Sequence, residues 1–132
     1  MQNDKINISS YSNENFCKLI DNLRQDIVEI NCNELCQLQR LNSPKQIAII
    51  DVREPHEVIY GTIPNAIALS KGVLERDIEK KIIDRMTPIV VYCAVGARSV
   101  ISAYMLRKMG YKSVYSLKGG FNEWLKCQNL KN

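Results

Sequence analysis

Hydrophobic positions in this chain fall into short apolar runs that alternate with stretches of helical spacing. The apolar runs predict buried strands at residues 47–51, 66–69, 89–92 and 114–117. Apolar positions three and four apart predict helices at about residues 31–41, 74–84, 99–109 and 121–126. The segment 52–65 contains two prolines and a glycine, so it is mostly loop with one helical turn near Glu57. Short strands that alternate with helices predict an α/β domain, a parallel sheet with helices on both faces.

Two of the predicted helices have apolar faces that we expect to contact the core. Asn31 followed by Glu34 has the spacing of a capping box at a helix start. The core-facing positions of that helix are Leu35, Leu38 and Leu41. Those of the helix at 74–84 are Leu74, Ile78, Ile82 and Ile83.

Before the first of these elements the chain carries another helical pattern. Residues 1–12 are polar, and apolar positions then recur at Phe16, Leu19, Ile20, Leu23 and Ile27. We therefore divide the chain into an N-terminal extension with an amphipathic helix, residues 1–28, and a domain at residues 29–132. The helix either packs on the domain, which we favour, or contacts another subunit or protein.

Composition and charge narrow the setting in which the protein works. The 132 residues carry a formal net charge of +4 with dispersed basic residues, so no nucleic-acid-binding stripe is evident. Five cysteines without a paired framework fit a reducing compartment. The chain has neither the apolar run of a signal peptide nor a stretch that would span a membrane. We expect a cytoplasmic protein with no nucleic-acid or membrane partner.

The most informative segment is the loop Cys93-Ala94-Val95-Gly96-Ala97-Arg98, which joins strand 89–92 to helix 99–109. Backbone N–H groups converge at a helix N-terminus, and together with the arginine they stabilise a thiolate, the nucleophilic form of cysteine. The small side chains allow a tight turn with its N–H groups inward, and the glycine permits a positive φ. The alternative is that the cysteine is only a buried residue of a strand-to-helix turn.

The length of this loop separates two chemistries. Four residues lie between Cys93 and Arg98, whereas tyrosine-phosphatase-like sites have five, and rhodanese-like phosphatases and arsenate reductases also have longer loops. A tighter cradle suits the terminal sulfur of a persulfide better than a phosphoryl group. The spacing therefore argues against a phosphatase.

Four separated segments resemble the single-domain rhodanese-like sulfurtransferase family, and together they cover roughly residues 29–126. They are Asp51–Glu57, Gly61–Ala66, the loop with its serine at Cys93–Ser99, and Gly119–Phe121 with Trp124. The resemblance implies a three-layer domain with a five-stranded parallel sheet and helices on both faces.

The resemblance also implies how the protein would act. Cys93 would be the catalytic nucleophile, taking a sulfane sulfur from thiosulfate or a persulfide donor and passing it to a thiol, cyanide or a protein acceptor. The substrate-binding residues would be those of the loop: Ala94, Val95, Gly96, Ala97, Arg98 and Ser99. Their amides would hold the terminal sulfur, and Arg98 would orient the loop or contact an anionic substrate. No metal or organic cofactor is needed, and the oligomeric state stays open.

The chain departs from the family pattern at several positions. Thr62 replaces the usual histidine, and Asn65 replaces a glycine, although asparagine also tolerates left-handed backbone conformations. The loop has no second basic residue beside Arg98. Efficient use of thiosulfate is therefore left open, and a larger or protein-bound donor is allowed.

Two other functions are alternatives to sulfur transfer. The chain could be a binding module without turnover, or a phosphatase or arsenate reductase on the same fold.

Residues outside the loop have simpler interpretations. We expect Asp51 to support the site by capping a turn or pairing with Arg53 or Arg98, and Arg53 to be structural in the same way. Glu57 is a candidate for a contact to the loop. His56, the only histidine, is expected at the surface.

Cys32 and Cys36 share a helix face, but without a second pair at zinc spacing they are expected to be ordinary helix residues. Cys127 would reach Cys93 only if the last helix folded toward the loop.

Overall fold

A computed structural model describes residues 13–42 and 46–131 of the chain. The polar segment at residues 1–12 lies outside these ranges. The elements, in chain order, are α1 Glu14–Arg24, β1 Val28–Ile30, α2 Cys32–Leu41, β2 Ala48–Asp51, α3 Pro55–Val58, β3 Ile67–Ala68, α4 Leu74–Lys81, β4 Ile89–Tyr92, α5 Arg98–Lys108, β5 Val114–Leu117 and α6 Gly120–Lys131.

The five strands form one sheet in the order β1-β5-β4-β2-β3, and every neighbouring pair is parallel. In the centre, Ile50 of β2 is in register with Val91 of β4. The expected α/β architecture is therefore confirmed. The sequence pattern missed β1, because its three residues Val28–Ile30 are too few to show an alternation of their own.

Helices cover both faces of the sheet and bury two separate hydrophobic cores. Alternation along β4 sends Val91 and Cys93 into the core that includes α4 and α5. Val90 and Tyr92 point into the opposite core, which includes residues of α2 and α6. The site at the end of β4 is thus built on a strand that is buried on both faces.

Helix α1 packs on α5, as the favoured alternative expected. Ile20 is buried in the same core as α5, and Ile27, just past the helix, joins it. Leu19, expected on the apolar face, is 47% exposed. The division of the chain at residue 28 stays a prediction.

Two other core expectations are wrong. Leu41 is 80% exposed because α2 ends there and no following turn covers its side chain. Ile83 is 81% exposed because α4 ends at Lys81, which leaves Ile82 to take the buried position. In both cases the helical spacing of apolar residues in the sequence extends beyond the part of the helix that packs on the core. None of the helices in the described ranges has the length and apolar character needed to cross a membrane.

Candidate active site

Cys93 follows the last residue of β4 at the carboxyl edge of the sheet, where sites of open parallel sheets form. Its side chain is fully buried. The N–H of Gly96 donates a hydrogen bond to its Sγ at 3.1 Å, and the thiol faces Ser99 Oγ at 3.5 Å. Ser99 is itself hydrogen-bonded to Ser116 on β5 at 2.8 Å. The loop thus directs the backbone N–H of Gly96 at the sulfur.

The loop between Cys93 and α5 is tight. Gly96 has a φ of +100°, and a Cβ at this position would lie 3.2 Å from the N atom of Gly119. Ala97 is buried and Ala94 is half-buried, whereas Val95 at the tip is 59% exposed. The loop therefore presents one apolar side chain to solvent while its backbone turns toward the sulfur.

The beginning of α6 supports the loop from the side. The N–H of Phe121 donates to the carbonyl oxygen of Cys93 at 2.8 Å, and the N–H of Asn122 donates to that of Ala94 at 3.1 Å. Gly120 has a φ of +59°, and a Cβ there would come within 2.4 Å of the Cys93 oxygen. Only glycine fits at this position, which explains the glycine pair before the aromatic residue.

Arg98 is held by Glu57 rather than left free in the loop. Its Nη1 and Nη2 donate to Glu57 Oε1 and Oε2 at 2.8 and 2.9 Å. These hydrogen bonds are the main reason why the pKa of Glu57 is lowered to about 2. They are also the main reason why the pKa of Arg98 is raised. Cys93 adds a smaller electrostatic contribution to the raised pKa of Arg98. Glu57 therefore fixes the position of the Arg98 guanidinium at the start of α5.

A buried ion pair lies beside the site. The guanidinium of Arg53 donates to both oxygens of Asp51, with Nη2 to Oδ2 at 2.8 Å, and to the carbonyl of Gly61 at 2.6 Å. Its Cζ also lies 4.3 Å from the ring centroid of Phe121. The structure thus pairs Asp51 with Arg53, while Arg98 pairs with Glu57. Through Arg53, this ion pair links the end of β2 to the turn after α3 and to α6.

Tyr92 connects this ion pair to the turn that departs from the family pattern. Its phenol hydrogen-bonds Asp51 and accepts the N–H of Ile63 at 3.0 Å. Burial is the main cause that raises the pKa of Tyr92, so the phenol stays protonated. Asn65 adopts a φ of +69°, which confirms that it serves in place of glycine. The sequence analysis missed Tyr92 because a strand tyrosine gives no sign of the partners it will meet.

A cleft of about 610 Å³ opens beside the loop at Val95 and Gly119. Its other lining residues are Arg24, Glu29, Asn31, Lys118 and Glu123. Lys118 therefore places a cation next to a loop that lacks a second one. One feature of the sequence could have indicated that Lys118 lies near the loop: it directly precedes the glycine pair at residues 119 and 120.

Within residues 13–42 and 46–131, no group of three or more histidine, cysteine, aspartate or glutamate side chains could hold a metal ion. His56 is exposed.

Comparison with known proteins assigns the family. The model of the rhodanese-like domain family matches residues 36–127. The thiosulfate sulfurtransferase GlpE of Coxiella burnetii is 40% identical over 61% of this chain and 73% of its own length. The polysulfide-sulfur transferase homodimer of Wolinella succinogenes superimposes with a TM-score of 0.73 at 27% identity, over 93% of this chain and 90% of its own. A Rhodopseudomonas palustris protein of unknown function, described as a possible tyrosine phosphatase, has a TM-score of 0.75 at 27% identity, over 86% and 90%.

The chain belongs to the rhodanese-like domain family. Several curated relatives at 32–40% identity are named as sulfurtransferases. The protein is accordingly an enzyme of the rhodanese-like sulfurtransferase type, which confirms the class expected from the four sequence segments.

Proposed function

We propose that the protein moves a sulfane sulfur from thiosulfate or a persulfide donor to a thiol acceptor through a persulfide on Cys93. The observation that carries this proposal is the Gly96 N–H directed at Cys93 Sγ, inside a strand-to-helix loop of four intervening residues. This geometry supports a thiolate at the start of the cycle and a charged terminal sulfur in its middle.

The proposed reaction has two displacements. The Cys93 thiolate attacks the outer sulfur of thiosulfate, the sulfur–sulfur bond of the donor breaks, and sulfite leaves with the electron pair. The negative charge then rests on the terminal sulfur of the Cys93 persulfide. An acceptor thiolate attacks that terminal sulfur and releases the Cys93 thiolate, which closes the cycle without any change in the enzyme.

Each loop residue has a proposed part in these steps. The amides of Ala94, Val95, Gly96, Ala97 and Ser99 bind the terminal sulfur and the incoming anion. Arg98 orients the loop and supplies positive charge near the sulfur, because its guanidinium is already engaged by Glu57. Asp51 and Arg53 support the site from the adjoining strand end.

The cleft beside Val95 bears on the choice of donor. Thiosulfate is a dianion, whereas the cations Arg24 and Lys118 in this cleft are balanced by the carboxylates Glu29 and Glu123, so the cleft side chains add no net positive charge for it. The relatives named for thiosulfate and for polysulfide support both as donors. We propose a cytoplasmic setting without nucleic-acid or membrane partners, in keeping with the dispersed basic residues of the sequence.

The test is the intact mass of the protein after incubation with thiosulfate or a polysulfide. The wild type is expected to gain the mass of one sulfur and to lose it again on addition of a small thiol. Cys93→Ser should gain nothing, whereas the control Cys36→Ser, which removes a half-buried thiol of α2, should behave as the wild type. An unchanged wild-type mass with every donor would refute the proposal and favour a binding module without turnover.

A phosphatase is the alternative function suggested by the structurally similar Rhodopseudomonas palustris protein. Hydrolysis of an aryl phosphate by the same preparation, lost in Cys93→Ser, would favour it. The short loop leads us to expect no hydrolysis.

A further inference from the structure

Two buried serine hydroxyls lie next to Cys93 and have no part in the two displacements. Ser99 is the second residue of α5 and Ser116 belongs to β5, and neither side chain is exposed to solvent. Their Oγ atoms are 2.8 Å apart, and Ser99 Oγ lies 3.5 Å from Cys93 Sγ, within the longer reach of a hydrogen bond to sulfur. Ser116 is in register with Val91, two residues before the cysteine on the neighbouring strand. The fold therefore lines up three polar side chains, Ser116, Ser99 and Cys93, inside the domain.

The hydrogen bonds of the two hydroxyls are confined to this chain of side chains. Within residues 13–42 and 46–131, Ser116 Oγ bonds only Ser99, and Ser99 Oγ bonds only Ser116 and Cys93. A serine in a helix can return its hydrogen to a carbonyl three or four residues earlier, but Ser99 bonds β5 instead. Each hydroxyl has one hydrogen to donate, so the directions of the hydrogen bonds depend on each other. The hydrogen of Ser116 therefore decides which way the hydroxyl of Ser99 points.

The charge on Cys93 changes the direction of these hydrogen bonds. A thiolate only accepts, so Ser116 donates to Ser99, Ser99 donates to the sulfur, and both hydroxyl hydrogens are paired. A neutral thiol that donates to Ser99 turns the Ser99 hydrogen toward Ser116 and leaves the Ser116 hydrogen without an acceptor. If Ser99 instead donates to the neutral sulfur, it meets only a weak acceptor. Since an unpaired buried donor is costly and hydrogen bonds to charged groups are stronger than neutral ones, this arrangement favours the thiolate.

We propose that Ser116 is a positioning residue for sulfur transfer, which directs the hydroxyl of Ser99 at the negatively charged sulfur of Cys93. Ser99 then donates a second hydrogen bond to the sulfur, beside that of the Gly96 N–H at 3.1 Å. No proton passes between the serines: the two hydroxyls rotate, and the proton of the thiol goes to solvent. Burial of both serines strengthens these hydrogen bonds, because the dielectric constant inside the domain is low.

This role rests on the proposed function, because the charged sulfur is the nucleophile of the first displacement and the leaving group of the second. Ser116 has no hydrogen bond to the sulfur and acts only through Ser99. The effect of removing the Ser116 hydroxyl should therefore disappear when the Ser99 hydroxyl is already absent. A general disturbance of the core would not depend on Ser99 in this way, which separates a positioning role from a structural one.

The experiment titrates the protein with base and follows the ultraviolet absorbance of the Cys93 thiolate. Each variant is paired with its Cys93→Ser counterpart, whose titration is subtracted to remove the signals of the other cysteines and the tyrosines. Ser116→Ala should shift the thiol–thiolate equilibrium toward the thiol by roughly fivefold, and Ser99→Ala by roughly tenfold. The double variant Ser99→Ala/Ser116→Ala should shift it no further than Ser99→Ala alone. The charged groups Arg98 and Glu57 are unchanged in all of these proteins.

Ser102→Ala is the matched control. Ser102 is another buried serine of α5, and its Oγ has no hydrogen-bonding partner among the described residues. This variant should titrate as the wild type. An equal shift in Ser102→Ala would overturn the proposal, and so would a Ser116→Ala protein without a shift, or a shift by Ser116→Ala that persists in the Ser99→Ala background.

The outcome is separable from that of the mass measurement, because the titration uses no sulfur donor. Thermal unfolding verifies that each variant is folded, and Ser116→Ala removes one oxygen without adding an atom that could clash. The initial rate of sulfur gain from thiosulfate should fall in Ser116→Ala and stay unchanged in Ser102→Ala. A wild type that gains no sulfur refutes the proposed function, whereas the titration alone decides whether Ser116 acts on the thiolate through Ser99.

Discussion

The carboxylate of Glu57 holds the guanidinium of Arg98 through two parallel hydrogen bonds of 2.8 and 2.9 Å. Glu57 also accepts the N–H of Glu54 at the start of α3, so it is fixed by its own helix. The pair connects α3 to the first residue of α5. The arginine of the Cys93–Arg98 loop is therefore positioned by a residue 41 places away in the sequence.

Replacing Glu57 by glutamine should lower the rate of sulfur transfer. The neutral amide cannot hold Arg98 with two charged bonds, so the guanidinium loses its fixed position beside Cys93. We expect roughly a tenfold loss in kcat, about 1.4 kcal/mol in activation free energy. The control Asp77→Asn breaks an exposed ion pair with Arg76 on α4 and should leave the rate unchanged. Equal rates for Glu57→Gln and the wild type would show that this pair does not position the loop.

The same pair should make stability depend on pH in acid. The pKa of Glu57 is about 2 in the folded protein against an ordinary 4.5, so its stabilisation is complete above about 4.5. As the pH falls from about 4.5 toward 2, the unfolded chain takes up the proton first and the stabilisation is lost. Urea unfolding should therefore show the wild type more stable than Glu57→Gln at about pH 6, with the difference shrinking toward pH 2. A difference that stays constant over this range would contradict the assignment.

Gly120→Ala should disrupt the site through the backbone. The added Cβ would meet the carbonyl oxygen of Cys93 at 2.4 Å, and the positive φ adds strain. We expect a loss of unfolding free energy of about 3 kcal/mol or more and a loss of sulfur transfer. Gly72→Ala is the matched control, because no atom lies within 4 Å of its added Cβ. Thermal unfolding of both variants measures the difference, and similar Tm values would refute it.

Removing one partner of the buried ion pair should be costly. Arg53→Ala leaves the fully buried Asp51 without its guanidinium, so we expect a loss of about 3–5 kcal/mol in unfolding free energy. Arg76→Ala removes an exposed, solvent-screened partner of Asp77 and should cause a much smaller loss. Denaturant titration of the two variants compares them directly. A loss for Arg53→Ala no larger than for Arg76→Ala would mean that Asp51 finds another partner.

Tyr92→Phe should destabilise the turn that leads into β3. The change removes the acceptor of the Ile63 N–H and a hydrogen-bonding partner of Asp51, both buried, at a cost of about 1–3 kcal/mol. Tyr60→Phe, at an exposed position, should be neutral. Amide hydrogen exchange at Ile63 provides the local readout, and it should speed up in the first variant only.

Local patterns predicted the elements around the site closely. Strands 89–92 and 114–117 have the predicted bounds, since a short apolar run between turns is recognisable without its neighbours. The sequence pattern did not predict β1, because this segment is a strand through its pairing with β5 and not through any pattern in its own three residues. Leu41 and Ile83 were misplaced because spacing along a helix does not show where the neighbouring layer ends.

The sequence by itself determined the Cys93–Arg98 loop of this protein: a cysteine after a buried strand, four small or apolar residues, an arginine and a helix. These features depend on neighbours in the chain, and so does the family resemblance built on them. Only the tertiary structure decided that Arg98 pairs with Glu57 and Asp51 with Arg53, because either acid could have reached either arginine. It alone packed α2 against α6, since helices far apart in sequence meet only when they cover the same face of one sheet.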